Sequence, residues 1–96
     1  MDFKILYTQR ALGDLEEIFD WSWARHPATT ERFGNSLLSH IDLLKSFPNM
    51  GTPLKRYPNV RRLLHSPLHV YYSVHHDQRT IEILHFRHFS RTQPIF

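Results

Sequence analysis

The stretch that decides the fold is Thr80-Ile81-Glu82-Ile83-Leu84-His85-Phe86-Arg87-His88-Phe89-Ser90-Arg91, which begins as a strand pattern and ends with cationic side chains. Regular alternation along this strand would place Ile81, Ile83, His85 and Arg87 on one face, and Glu82, Leu84, Phe86 and His88 on the other. An apolar strand that becomes cationic at its exit presents charge at the margin of a sheet, where functional residues often lie.

Two more strands precede this one at short range. Residues 60–65 and 68–74 are predicted as strands separated by the turn Ser66-Pro67, and the second of them alternates apolar with more polar side chains. Residues 75–79 form a second polar turn. Connections this short join antiparallel neighbours, so the three strands are predicted to form a meander that follows a loop over residues 49–59.

The first part of the chain predicts a strand and a helix. Residues 3–7 alternate as a short strand, and Thr8 is predicted to cap the helix that follows. The helix is predicted to stop at His26-Pro27, because a residue before proline is pushed out of the helical region. Trp21 and Trp23 are interpreted as packing residues of this helix.

A second helix is predicted from Pro27 or Ala28 to about Ser46, with apolar side chains at helical spacing. The short connection predicts an antiparallel helical hairpin. The order β-α-α-β-β-β therefore predicts an α+β, two-layer fold, with the hairpin packed on a small, mainly antiparallel sheet. Residues 1–96 are expected to form a single domain.

Composition narrows the class of protein. The chain has 41% hydrophobic and 22% charged residues, which is typical of a globular domain. No apolar run approaches the roughly 20 residues of a membrane span, and no signal-peptide pattern opens the chain. The absence of cysteine excludes disulfides and thiolate catalysis. We expect a cytoplasmic protein without membrane contact.

Charge is distributed unevenly along the chain. Residues 8–47 carry six acids and four bases, a net charge of −2. Residues 48–96 carry seven bases and two acids, a net charge of +5, together with six of the eight histidines. The basic second half indicates either an anionic partner or a sheet whose charges keep it soluble.

Residues in the first helix, after the second helix and in the meander resemble the RelE/ParE superfamily of bacterial type II toxin–antitoxin toxins. The residues that carry the resemblance are Ala11, Asp14-Leu15, Ile18, Phe47-Pro48, Gly51, Arg61-Arg62-Leu63, Tyr71-Tyr72, Val74, Ile83-Leu84, His88 and Arg91. Each motif alone is weak, but their order and spacing together are specific. The resemblance covers nearly the whole chain.

The resemblance implies one of two activities. RelE-like members are ribosome-dependent endoribonucleases that cut mRNA, whereas ParE-like members inhibit DNA gyrase and cleave no bond themselves. A first helix of about four turns before Pro27 is more similar to the ParE-like branch. We therefore expect a ParE-like toxin that is neutralised by a cognate antitoxin. The residues expected to contact either the target or the antitoxin are Arg61, Arg62, Arg87, His88 and Arg91.

The alternative is a RelE-like nuclease with catalytic candidates Arg62, His85, Arg87 and His88. Cleavage by the 2′-hydroxyl needs a general base, an acid and cations on the phosphate, which histidine and arginine supply. Tyr71 or Phe89 could stack a base. Against this, no tyrosine follows residue 72, no lysine follows residue 55, and Glu82 is predicted to face away from His85. A degenerate toxin that only binds partners is the third hypothesis.

No metal or cofactor is predicted. The histidines have neither metalloprotease nor zinc-finger spacing. Three glycines form no phosphate-binding loop.

Overall fold

The computed structural model describes residues 2–88. Strand β1 (Lys4–Tyr7) is followed by helices α1 (Gln9–Arg25) and α2 (Pro27–Asp42), and a 3-10 turn (Leu43–Lys45) ends the helical part. Strands β2 (Thr52–Pro53), β3 (Val60–His65), β4 (Leu68–His75) and β5 (Thr80–His88) complete the chain. None of the helices in this part of the chain is long and apolar enough to cross a membrane.

The strands form one sheet in the order β1-β5-β4-β3-β2. Strand β1 is parallel to β5, and every other pair is antiparallel. The predicted α+β fold and the three-strand meander are therefore confirmed. The short strand β2 was not predicted, because two residues in a loop leave no periodic pattern; Thr52 and Pro53 pair with Arg62 and Arg61.

Local signals set both ends of α1 and the start of α2 as predicted, whereas α2 ends at Asp42, before the predicted end near Ser46, and continues as the 3-10 turn. The Thr8 hydroxyl accepts the N–H of Ala11 at 3.1 Å and caps α1. Helix α1 ends at Arg25, and α2 begins at Pro27, where a missing N–H costs nothing in the first turn. His26 alone connects the helices, so the predicted hairpin has a one-residue connection.

Both helices pack against one face of the sheet, which we call the inner face. The core joins apolar residues of the helical part with alternate residues of the meander. Its buried members are Ala11, Leu15, Leu37, Ile41, Leu44, Leu63, Leu68, Val70, Tyr72, Ile81, Ile83 and Phe86. Phe3, Ile5 and Tyr7 pack against this cluster from β1.

The two tryptophans contradict the sequence-based interpretation. Trp21 and Trp23 are 62% and 52% exposed, so neither packs in the core. Leu12 of the same helix is also 52% exposed. A helix with one neighbouring helix and one sheet can bury only part of its circumference. The Arg25 guanidinium lies over the Trp21 ring, 4.3 Å from its centre.

A β-bulge in β5 corrects the predicted faces of that strand. Tyr72 pairs with Ile83, but Tyr71 pairs with His85, so Leu84 has no partner of its own. The extra residue reverses the alternation after Ile83. Phe86 consequently joins Ile81 and Ile83 in the core, whereas His85 lies on the opposite face.

We call this opposite side of the sheet the outer face. Paired residues share a face, so the register assigns to it Arg62 and Leu64 of β3, His69, Tyr71 and Ser73 of β4, and Glu82, His85 and Arg87 of β5. Glu82 thus shares a face with His85, contrary to prediction, and its Oε1 lies 3.6 Å from Nε2 of His75.

A pair of histidines ties α2 to the end of β3. The Nδ1 atoms of His40 and His65 are 2.7 Å apart, so one imidazole donates a hydrogen bond to the other. Burial, followed by the charge of His40, lowers the pKa of His65. The unfolded chain therefore binds more protons than the folded chain below the ordinary histidine pKa of about 6.5.

Stability is accordingly expected to fall as the pH drops from about 7 through 6.5, and to be flat above that range with respect to His65. His65→Asn should weaken this dependence, as measured by urea unfolding at pH 5.5, 6.5 and 7.5. His76→Asn, in the exposed turn before β5, is the control and should retain the wild-type slope. An unchanged slope in His65→Asn would contradict the assignment.

Candidate functional site on the outer face

The register brings cationic and aromatic side chains into two adjacent rows of the outer face. Arg62, Tyr71 and His85 occupy one row across β3, β4 and β5. His69 and Arg87 pair in the next row. The rings of Tyr71 and His85 stack with centres 5.7 Å apart, and the His69 ring meets Tyr71 edge-on at 6.2 Å.

Burial divides these side chains into a floor and a cationic surface. Tyr71 is 2% exposed and His85 is 8% exposed, so their stacked rings form the floor. Arg62 is exposed, and His69 and Arg87 are half-buried. The suggestion that Tyr71 stacks a base is therefore wrong for this arrangement, because its ring is covered and stacks on His85.

Helix α1 fixes His85 from the edge of the sheet. Strand β1 accompanies β5 only as far as Ile83. Beyond that point the Thr8 hydroxyl donates to the carbonyl oxygens of Ile83 and Leu84, at 3.0 and 3.2 Å. Six residues further along the chain, Asp14 Oδ2 accepts the Nδ1–H of His85 at 2.6 Å and the backbone N–H of Phe86 at 3.1 Å.

The Asp14 contact decides which nitrogen of His85 exchanges a proton. A carboxylate accepts hydrogen bonds only, so Nδ1 of His85 carries a hydrogen in both the neutral and the cationic ring. Any change in protonation therefore occurs at Nε2. An imidazole held in this way by a carboxylate is the arrangement that general-base catalysis uses.

His69 lies close enough to Arg62 and Arg87 for both charges to act on it. Burial, then the charge of Arg62, then that of Arg87, lowers the pKa of His69. The imidazole is thus held neutral near pH 7 between two guanidinium groups. An anion that reached this place would meet positive potential from both sides.

The sequence-based candidates fall into two groups. Arg62, His85 and Arg87 lie together on the outer face. His88 pairs with Leu68 and lies on the inner-face side of β5. Arg61 also points away, since its Nη1 donates to the carbonyl oxygens of Asn49 and Gly51, at 3.1 and 2.7 Å. Arg91 and Phe89 fall outside residues 2–88.

Asp14 and His69 are the site residues that sequence reasoning did not identify. Asp14 was noted only as part of the family pattern, because nothing local links it to a histidine 71 residues later. His69 alternates correctly for the outer face, so the strand pattern could have found it. Within the described residues, no three histidine, aspartate or glutamate side chains cluster closely enough to hold a metal ion.

Comparison with known proteins identifies the family. Several solved structures share the fold: a chain of the chromosomal ParDE toxin–antitoxin system of P. aeruginosa has 21% identity and a TM-score of 0.74, covering 90% of this chain and 95% of that one. A chain of the toxin–antitoxin complex RelBE2 of Mycobacterium tuberculosis has 17% identity and a TM-score of 0.66, covering 92% of this chain and 99% of that one. The isolated E. coli RelE toxin has 14% identity and a TM-score of 0.62, covering 95% of this chain and 88% of that one.

No curated protein matches the sequence. The family model described as "ParE toxin of type II toxin-antitoxin system, parDE" matches residues 5–92, which include every helix and nearly all of the sheet. The chain therefore belongs to the ParE toxin family of type II toxin–antitoxin systems.

Proposed function

We propose that this toxin stops growth by binding and inhibiting DNA gyrase in the cytoplasm, and that a cognate antitoxin neutralises it. The observation that carries the proposal is the ParE family match over residues 5–92. The helical hairpin supports it, because α1 has 17 residues and meets α2 through His26 alone. That long hairpin is the feature that suggested the ParE-like branch.

The antitoxin contact is expected at an apolar surface with basic neighbours. Leu43, Phe47 and Met50 are exposed and line a cavity of about 590 Å³ together with Pro48 and Asn49. Arg61 lies beside this loop, since it binds the carbonyl oxygen of Asn49, and Lys55 and Arg56 are exposed on the segment that follows. An acidic, amphipathic antitoxin segment would complement both properties.

A second candidate function, mRNA cleavage at the ribosome, is favoured by the Asp14–His85 pair beside Arg62 and Arg87. In this reaction Nε2 of His85 would take the proton of a ribose 2′-hydroxyl while the 2′-oxygen attacks the adjacent phosphorus. The P–O5′ bond would break, and water would protonate the leaving oxygen. The two guanidinium groups would stabilise the charge on the phosphate oxygens.

One experiment separates these functions. Purified toxin is added to a gyrase supercoiling reaction and, separately, to a translating extract whose mRNA is mapped by primer extension. We expect supercoiling to fall and the mRNA to remain intact. Cuts at codon positions would contradict gyrase inhibition and favour the nuclease; no response in either assay, with no growth arrest on expression, would leave only a binding module.

Substitution of the last strand tests whether it belongs to the functional surface. The variants are Arg87→Ala and His88→Ala, whose side chains lie on opposite sides of β5. We expect Arg87→Ala to relieve growth arrest by at least about tenfold in surviving colonies, since charge pairs at interfaces often contribute about 1.4 kcal/mol or more. Arg32→Ala, exposed on α2, is the charge-matched control. Unchanged toxicity in both β5 variants would remove this strand from the site.

A further inference from the structure

The two sides of the molecule differ in the chemistry that they expose. Exposed large apolar side chains occur mainly in the helical part and the loop after it, namely Leu12, Trp21, Trp23, Leu38, Leu43, Phe47 and Met50. Within residues 2–88, Leu6 and Leu64 are the comparable side chains on the outer-face side of the sheet, and both lie at its margins. Protein partners bind through apolar cores, whereas nucleic-acid interfaces are more polar and more basic.

We propose that the outer face binds the phosphodiester backbone of nucleic acid, with Arg62 and Arg87 on the phosphate oxygens and His69 between them. The proposal deepens the proposed function, because a toxin at gyrase would then contact the DNA that gyrase holds. The helical part and the loop after it, which expose most of the large apolar side chains, would then be the surface that contacts protein partners.

The spacing of the two arginines suits one or two phosphate groups. They lie on β3 and β5, two strands apart and one row apart along β4. From strand spacing, their Cα atoms are about 12 Å apart, so their long side chains can converge over His69. Guanidinium forks bind phosphate oxygens with two parallel hydrogen bonds.

The floor of the site argues for backbone contact without base recognition. Tyr71 and His85 are stacked on each other and buried, so this pair presents no open aromatic plane to a base. Of the acids on or beside this face, Asp14 is hydrogen-bonded to His85, and Glu82 Oε1 lies 3.6 Å from Nε2 of His75. Binding is consequently expected to depend on charge and to be nearly independent of sequence.

The test measures fluorescence anisotropy of labelled single-stranded DNA and RNA oligonucleotides with the full chain, over about 50–200 mM salt. Arg62→Ala/Arg87→Ala should weaken binding to every sequence and reduce the salt slope by about 1.4, because each phosphate that the protein no longer neutralises on a single strand lowers the slope by about 0.7. Arg25→Ala/Arg32→Ala removes the same charge from exposed positions of the two helices and should change the slope little.

Arg62→Ala alone, at an exposed position, guards against misfolding of the double variant and should reduce the slope by about 0.7. Equal losses of affinity in the control pair would overturn the proposal, as would a poly-glutamate peptide that binds this face when the oligonucleotides do not. Gyrase inhibition is measured on the same preparations. Wild-type protein that binds oligonucleotides through these arginines but leaves gyrase active would overturn the proposed function and support this inference.

Discussion

Gly51→Ala is expected to destabilise the protein by about 2–4 kcal/mol. A Cβ atom at this position would lie 2.8 Å from the Tyr72 ring and hydroxyl and 3.0 Å from the backbone oxygen of Arg62. The ring has no room to retreat, because Tyr72 is fully buried. Its hydroxyl also accepts the Gly51 N–H and donates to the Pro48 carbonyl oxygen, both at 2.8 Å. Urea unfolding at constant pH measures the destabilisation.

Gly13→Ala provides the matched control, because it adds the same methyl group where nothing lies within 4 Å. Gly13 is exposed in the second turn of α1. Alanine there should stabilise the protein by about 0.5–1 kcal/mol through its higher helix propensity. The two substitutions are therefore expected to have opposite signs, and equal effects would contradict the close approach at Gly51.

Asp14→Ala is the second substitution with a large expected effect, a loss of about 2–4 kcal/mol in the free energy of unfolding. It leaves the Phe86 N–H and His85 Nδ1–H without the acceptor that both share, and Phe86 is buried in the core. The melting temperature should fall by about 10–20 °C for a domain of this size, as recorded by circular dichroism.

Glu16→Ala removes an equal charge from an exposed position of the same helix and should change stability by less than about 0.5 kcal/mol. Asp14→Asn adds a chemical test. In the wild type, ¹⁵N NMR should show the hydrogen of neutral His85 on Nδ1, whereas the amide should weaken this preference. A wild-type His85 with its hydrogen on Nε2 would refute the contact.

Local patterns predicted most of the fold, because each pattern has a local cause. Thr8 capped α1 as expected, and Pro27 began α2 as expected. The alternation of β4 correctly separated Val70 and Tyr72 from Tyr71. These features depend on hydroxyl chemistry, proline geometry and the two-residue period of a strand.

The rest depends on contacts between distant residues. The bulge at Leu84 reverses the face of every later residue of β5, yet Ile83-Leu84-His85-Phe86 reads as an uninterrupted strand. Regular alternation therefore placed Arg87 correctly on the face of His85 but put both on the face of Ile81. Asp14 became part of the site only because β1 stops at Tyr7 and α1 continues along the edge that β1 leaves.

The parallel pairing of β1 with β5 has a consequence for folding kinetics. The hydrogen bond from Thr8 to Ile83 closes a loop of 75 residues, and β5 lies between β1 and β4 in the sheet. Contacts this distant along the chain slow folding. During synthesis β1 emerges first but has no partner until β5 follows, while the helical hairpin can form early. A nascent chain thus carries its apolar helical surface before it has an outer face.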